Sequence, residues 1–306
     1  MESLPKEIEI TEDLALTDKD RRMLDMHSFL NILNVLLGEL YLLRLNSGHP
    51  DDMAESSRMA EVLAAQLADA GTSEQVALDL EALGWKFEFE FKAILERHPE
   101  FERDEAVQES AENIRSVITI LRPRIREWHD RRELGNKWVS HPVGMLQESF
   151  TNFFAAVEKN SKGRYRIVRN LAAQEERDYV VSLDFQPGSD GQILMPPVFH
   201  DVFRDLVANA RKYTAPGGVI IAGLVDNNHG IRLAVEDTGR GIPPEELSKV
   251  IGFGYRASNV RDIPTKGAGF GLTKAYAATK QFGGRMWLRS QINVGTRVII
   301  EVPRPS

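Results

Sequence analysis

Three separated stretches carry residues whose types and spacing suit the handling of an anionic nucleotide. Asn209 and Lys212 lie three residues apart on a segment, Asp205 to Tyr213, with a helical period. Asparagine is a mediocre helix former, so its amide has a task there. An amide oxygen suits magnesium, a hard cation that keeps several waters and bridges phosphates. Lys212, on the same helical face, can neutralise phosphate charge. Further on, Asp237 ends an alternating run (Ile231 to Glu236) and opens a turn containing Gly239 and Gly241. A carboxylate only accepts hydrogen bonds, which complements the exocyclic amine of adenine, and glycines let a flat base approach the backbone. Finally, Gly267, Gly269 and Gly271 lead into a helical segment, Phe270 to Gln281. Unpaired N–H groups and the positive dipole end at a helix start make a ready anion site.

Each stretch alone has a plainer reading: an amphipathic surface helix, an Asp-x-Gly turn, a glycine-rich loop. Their order is what points to a pocket for ATP with Mg2+. The glycine stretch is not the GxxxxGK phosphate loop, because no Lys-Ser or Lys-Thr pair follows it. Nor does it follow a strand, as a dinucleotide fingerprint requires. Ser258 to Lys266 reads as a charged lid, with Phe253 and Tyr255 either anchoring its start or serving as ordinary core aromatics. Late in the chain, Gly295 and Thr296 add a small residue and a hydroxyl.

Two kinds of sequence must position these groups. From about Thr11 to Glu158 the period is helical. Leu24, Leu30, Leu33, Leu37 and Leu40 share one stripe, and 51–67, 73–97 and 104–133 continue the pattern. Asp104 suits an N-cap, and Pro123 should bend or break the last of these helices. After residue 163, short β-rich runs at 165–168, 179–185, 219–224, 231–236, 285–289 and 297–302 alternate with helices at 198–213, 244–250 and 270–281. The expected fold class is α+β, an N-terminal all-α helical bundle over 1–139 followed by a C-terminal α/β sandwich over 140–306. The boundary is set near Ser140, with Pro142 to Glu158 as the second domain's opening helix.

Composition narrows the function classes. The chain has 306 residues, 42% of them hydrophobic, a net charge of −7 and no cysteine. Real cores are expected, while disulfides and cysteine chemistry are excluded. No basic face favours nucleic acid, and no apolar run reaches the roughly 18 residues of a membrane span. A cytoplasmic location is expected.

In the helical half, His27, Asn31 and Asn34 fall at i, i+4 and i+7, a polar stripe on an otherwise apolar helix. An exposed neutral imidazole is a competent nucleophile. His98, His129, His141, His200 and His229 suit plain surface roles, with no metal-ligand spacing.

In their order the C-terminal motifs resemble the catalytic domain shared by sensor histidine kinases, DNA gyrase and the heat-shock ATPase chaperones, over roughly 142–303. Asn209, Lys212 and Tyr213 match the asparagine block. Asp237, Gly239 and Gly241 match the adenine block, and Phe253 to Arg256 match the lid block loosely. Gly267, Gly269 and Gly271 match the phosphate block, and Thr296 the hydroxyl that supports adenine. Lys212, Tyr213 and Thr214, with the short lid, look most like histidine kinases. The resemblance implies the Bergerat ATP-binding fold with ATP and Mg2+, the metal held through Asn209. It also implies a phosphoacceptor role for His27 and a partner receiver domain of a response regulator. Asn31 matches the residue that orients water for dephosphorylation, whereas Ser28 stands where an acid usually follows the histidine. Asp205 stands where histidine kinases commonly carry Asn and the ATPase branches carry Glu. It is read as magnesium-linked or as a base for water. A homodimer through the leucine-rich N-terminal helix is expected, because that face is too apolar to leave exposed. Three alternatives stand beside the histidine-kinase reading: a protein-serine kinase on the same scaffold, an ATPase clamp and a phosphotransfer scaffold.

Overall fold

The computed structural model describes all residues except 1–4, 50, 70–72, 162, 189, 228, 263–268 and 306. The side chains of 22, 25, 27, 28, 30, 31, 67–69, 73, 74, 77, 123–133 and 160 also lie outside the description. The chain forms two compact units, Thr17–Gly135 and Met1–Leu16 together with Asn136–Ser306.

The helical unit contains α1 (Asp18–Ser47), α2 (Ala54–Asp69), α3 (Ser73–Arg97) and α4 (Glu105–Leu134). Thr17 opens α1 with a reciprocal cap: its hydroxyl oxygen accepts the Asp20 amide at 3.2 Å, and Asp20 accepts the Thr17 amide at 2.9 Å. Gly48, at φ 69°, closes it. Asp104 caps α4 as expected, accepting the amides of Ala106 and Val107, each at 3.0 Å. Pro123 does not divide α4, which is a single helix to Leu134.

Helix α1 packs on α2 and α4, and α3 packs on the same two, which closes a four-helix bundle within one chain. Leu33, Leu36, Leu40 and Leu43 of α1 are 0–1% exposed, in one core with Phe87, Phe91, Ile114 and Leu121. Leu33 and Leu40 of the leucine stripe are thus buried against the chain's own helices, while Tyr41, Leu42 and Leu45 of α1 stay exposed at 64%, 43% and 62%.

In the other unit, a seven-stranded sheet carries β1 (Ile8–Glu9), β3 (Ile167–Val168), β4 (Tyr179–Gln186), β6 (Val219–Asn227), β7 (Gly230–Asp237), β8 (Arg285–Gln291) and β9 (Gly295–Pro303) in the order β1-β8-β9-β7-β6-β4-β3. A small second sheet pairs β2 (Val139–Pro142) with β5 (Gln192–Met195). The β3–β4 and β4–β6 pairs are parallel and the others antiparallel. Helices α5 (Val143–Asn160), α6 (Val198–Tyr213) and α7 (Gly271–Gln281) pack their apolar faces into one core with the sheet. The fold class is the expected α+β, a helical bundle and a sandwich of helices on a mixed sheet.

Two elements differ from the sequence reading. Residues 5–16 fold with the C-terminal unit, because Ile8 and Glu9 pair with Leu288 and Trp287 and Ile10 enters the core at 2% exposure. At 244–250 the expected α-helix is a 3-10 turn, Pro244–Glu246. Beyond it the Lys249 and Val250 amides both donate to the Glu246 carbonyl, at 2.9 and 3.0 Å, in place of a continued ladder.

Candidate nucleotide site

Helix α6 carries Asp201, Asp205, Asn209 and Lys212 on successive turns of one face. Its end is fixed by Thr214, whose hydroxyl donates to the Ala210 carbonyl at 2.7 Å. Asn209 lies against the first residue of α7. A Cβ built on Gly271 would overlap the Asn209 amide nitrogen and sit 3.2 Å from the amide carbon. A side chain at 271 would therefore displace the Asn209 amide from its place between α6 and α7. Among the described residues nothing else claims the Asn209 amide by a hydrogen bond. Its oxygen remains available beside the amino end of a helix, where phosphate oxygens are stabilised and a metal bridging to them would find an oxygen ligand.

Lys212 is half-buried. Its Nζ stands 4.9 Å from the Tyr213 ring centroid, and among the described residues no carboxylate pairs with it. Burial, reinforced by the Arg256 charge, lowers its pKa to about 8. Arg256 also hydrogen-bonds Tyr213 and donates to the Val260 carbonyl at 2.7 Å. Two cations thus adjoin the end of α6, an arrangement that an anionic ligand relieves.

Asp237 is the last residue of β7 and faces Thr296 across the β7–β9 ladder. Its Oδ1 accepts the Gly239 amide at 2.8 Å. Burial raises its pKa to about 6, outweighing the amides of Gly239 and Thr296, which favour the carboxylate. The Thr296 hydroxyl lies 2.9 Å from the Ser290 hydroxyl. Ser290 donates to the Gly295 carbonyl at 2.9 Å and accepts the Ile242 amide at 2.8 Å, so Thr296 is the donor of the pair. Gly239 and Gly241 sit where the sequence places them, but their smallness is demanded by the fold itself. A Cβ at 239 would lie 2.5 Å from the Tyr213 carbonyl oxygen, and one at 241, where φ is +68°, would overlap the Gln291 carbonyl.

The segment between Gly241 and α7 has a folded base that the sequence did not announce. Glu246 is 7% exposed. It accepts from the Tyr255 hydroxyl and the Ser258 amide, both at 2.9 Å, and from the Ser258 hydroxyl. These donors, Ser258 foremost, hold its pKa below the usual carboxylate value. Tyr255 is thereby anchored, and Phe253 stacks at 4.5 Å on Phe270 beside the start of α7. Arg240 reaches both Asp262 oxygens at 2.9 Å. Asn259 returns a hydrogen bond to the Gly241 carbonyl at 2.9 Å. Gly269 has φ +79° and lies against the backbone of Gly254 and Tyr255; Gly267 falls outside the described residues.

Asp205 is not a bare carboxylate. Lys274 of α7 places Nζ 2.9 Å from its Oδ2, a partner that sequence reading missed. His27 and Asn31 fall on α1, but their side chains lie outside the described residues. Of the other histidines, His98 stacks on His49 at 4.3 Å and approaches Glu100 at 3.4 Å. His141 lies 3.3 Å from the Met195 carbonyl. Among the described residues no group of His and acidic side chains is arranged to hold a metal ion, and no helix is long and apolar enough to cross a membrane.

Comparison with known proteins finds relatives of the C-terminal unit. Residues 196–306 match the family described as histidine kinase-, DNA gyrase B- and HSP90-like ATPase. The sensor protein SrrB of Staphylococcus aureus is 34% identical over 104 residues, which is 34% of this chain and 18% of that protein. The chain thus spans under a fifth of the length of the curated relatives it matches. Among solved structures, the mycobacterial sensor histidine kinase MprB aligns with 18% identity and TM-score 0.40, over 56% of this chain and 99% of that one. The catalytic domain of histidine kinase ThkA aligns with 19% identity and TM-score 0.39, over 55% and 95%. The matched segment runs from before α6 to the chain's last residue and contains Asn209, Asp237, Gly271 and Thr296. Residues 196–306 of the C-terminal unit are therefore similar to the histidine kinase-, DNA gyrase B- and HSP90-like ATPase family.

Proposed function

We propose that this domain binds Mg-ATP and that the protein is a protein-histidine kinase which phosphorylates His27 and passes the phosphate to an aspartate on a response-regulator receiver domain. The observation that carries the reading is the packing of Asn209 on the amino end of α7, with the unpaired Lys212 on the same helical face. That arrangement supplies an amide ligand, helix N–H groups and a cation for one triphosphate. Asp237 and Thr296 supply the polar edge for adenine. Magnesium, held through the Asn209 oxygen, would draw charge from the phosphates. In the transfer, an imidazole nitrogen of His27 bonds to the γ-phosphorus as the bond to the β–γ bridging oxygen breaks. ADP departs and the imidazole proton passes to solvent. Asn31, four positions on in the sequence, would orient water for the hydrolysis of phosphohistidine.

The Asp205–Lys274 pair favours this kinase reading over the water-activating one. The Asp205 Oδ2 is already taken by the Lys274 ammonium at 2.9 Å, which leaves it less able to hold an attacking water. The test is transfer from γ-phosphate-labelled ATP. The reading predicts an acid-labile label on the wild type that is absent from His27→Gln. An acid-stable label that persists in His27→Gln identifies a serine kinase on the same scaffold, and phosphate release with no protein label identifies an ATPase.

A further inference from the structure

Lys274 has no part in the pocket as read from its motifs, yet it is among the most enclosed cations of the domain, its side chain 8% exposed. It projects from the first turn of α7, three residues after Gly271. There it meets two carboxylates of α6: Asp205 at 2.9 Å and Asp201 at 3.9 Å. Asp201 is also paired with Arg204, whose side chain is 9% exposed. The result is a cluster in which Lys274 of α7 meets two acids of α6, one of them also paired with Arg204 of the same helix. Next to it along α7, the buried Thr273 hydroxyl donates to the Gly252 carbonyl at 2.9 Å.

The order of contacts gives the cluster its meaning. Moving one turn back along α6, from Asn209 to Asp205, moves one turn forward along α7, from Gly271 to Lys274. The two helices run antiparallel here, and the ion pair lies one turn from the Asn209–Gly271 contact. A buried pair of this kind is weak as a source of net stability but strongly specifies geometry, because breaking it strands a charge. Sliding α7 along α6 would separate Lys274 from Asp205 and would at the same time move Gly271 away from the Asn209 amide.

We propose that Lys274 is a positioning residue that sets the register of α7 on α6, and with it the distance between the Asn209 oxygen and the phosphate-facing amides of α7. The proposal rests on the Mg-ATP reading of the site and adds to it a residue outside the motifs. Its signature is selective. Phosphate and metal binding depend on the register, whereas adenine binding, at Asp237 and Thr296 on the sheet, does not.

The test compares wild type, Lys274→Met and Lys274→Arg by calorimetric titration with Mg-ATP and, separately, with adenosine, well below each variant's unfolding midpoint. Lys274→Met should lose Mg-ATP affinity by about tenfold or more, the scale of a small misplacement of positioned groups, with adenosine affinity unchanged. Lys274→Arg, which keeps the charge, should recover most of the loss. Should Lys274→Met fail to fold, Asp205→Asn breaks the same pair from α6 and should show the same selective loss. Equal losses for both ligands, or no loss for either, would overturn the positioning role. A wild type that binds neither ligand would instead overturn the nucleotide site itself.

Discussion

Asn209 and Gly271 meet with no room for a methyl group between them. Sixty-two positions separate them in the chain, yet they meet where the amide-bearing helix lies on the glycine-bearing one. A side chain at 271 would have to displace the Asn209 amide.

Gly271→Ala should therefore weaken Mg-ATP binding by about tenfold or more, roughly 1.4 kcal/mol or above, while the domain stays folded. Alanine is a better helix former than glycine, so local helix propensity opposes unfolding. The check is a nucleotide titration beside a thermal melt. Unchanged affinity would mean that the Asn209 amide is free to move aside.

Asp237 should make nucleotide affinity and stability respond to pH in opposite ways. Adenine recognition needs the carboxylate, so affinity should fall as pH drops through about 6, the raised pKa of this group. For the free domain the sign reverses. A carboxyl whose folded pKa lies above its ordinary value contributes stability that is fully present below that ordinary value and is lost as pH rises through about 6. Asp237→Asn should remove this dependence and raise stability at pH 8 by about 1–3 kcal/mol, since no buried charge remains. It should also weaken nucleotide binding. Melts and titrations between pH 5 and 8 test both halves.

Two truncations should report on the two units separately. Ile10 is 2% exposed in the core of the sandwich, and Leu40 is 1% exposed in the bundle. Each change to alanine should cost about 2–5 kcal/mol in its own unit. Ile10→Ala should also loosen α7, because the Tyr276 hydroxyl on that helix lies 2.7 Å from the Glu12 carbonyl and 3.3 Å from that of Ile10. Leu40→Ala should leave nucleotide affinity unchanged. Hydrogen exchange resolved by segment checks both.

What could be read beforehand divides along physical lines. The 3.6-residue period of α6, the alternation along β7 and the glycine spacing before α7 are local signals, and they located Asn209, Asp237 and Gly271. The partners that join them are not local. Lys274 stands 69 positions from Asp205, and Ser290 stands 48 from Ile242; no short-range pattern pairs such residues. Strand β1 escaped notice because two paired residues carry too little alternation to stand out from a polar leader. The bundle shows the limit of the hydrophobic argument. Periodicity marked the leucine stripe on α1 as buried, but only tertiary structure shows that α2 and α4 of the same chain cover it. Glu246 is a similar case, a charged residue in a Pro-rich stretch that gains its role only when Tyr255 and Ser258 converge on it.

The most direct test of the account is calorimetric titration of the protein with Mg-ATP, with Asn209→Ala alongside. The account predicts saturable binding at one site per chain that requires the divalent ion, and loss of that binding in Asn209→Ala with the thermal melt preserved. No binding by the wild type, or equal binding by a folded Asn209→Ala, would contradict it.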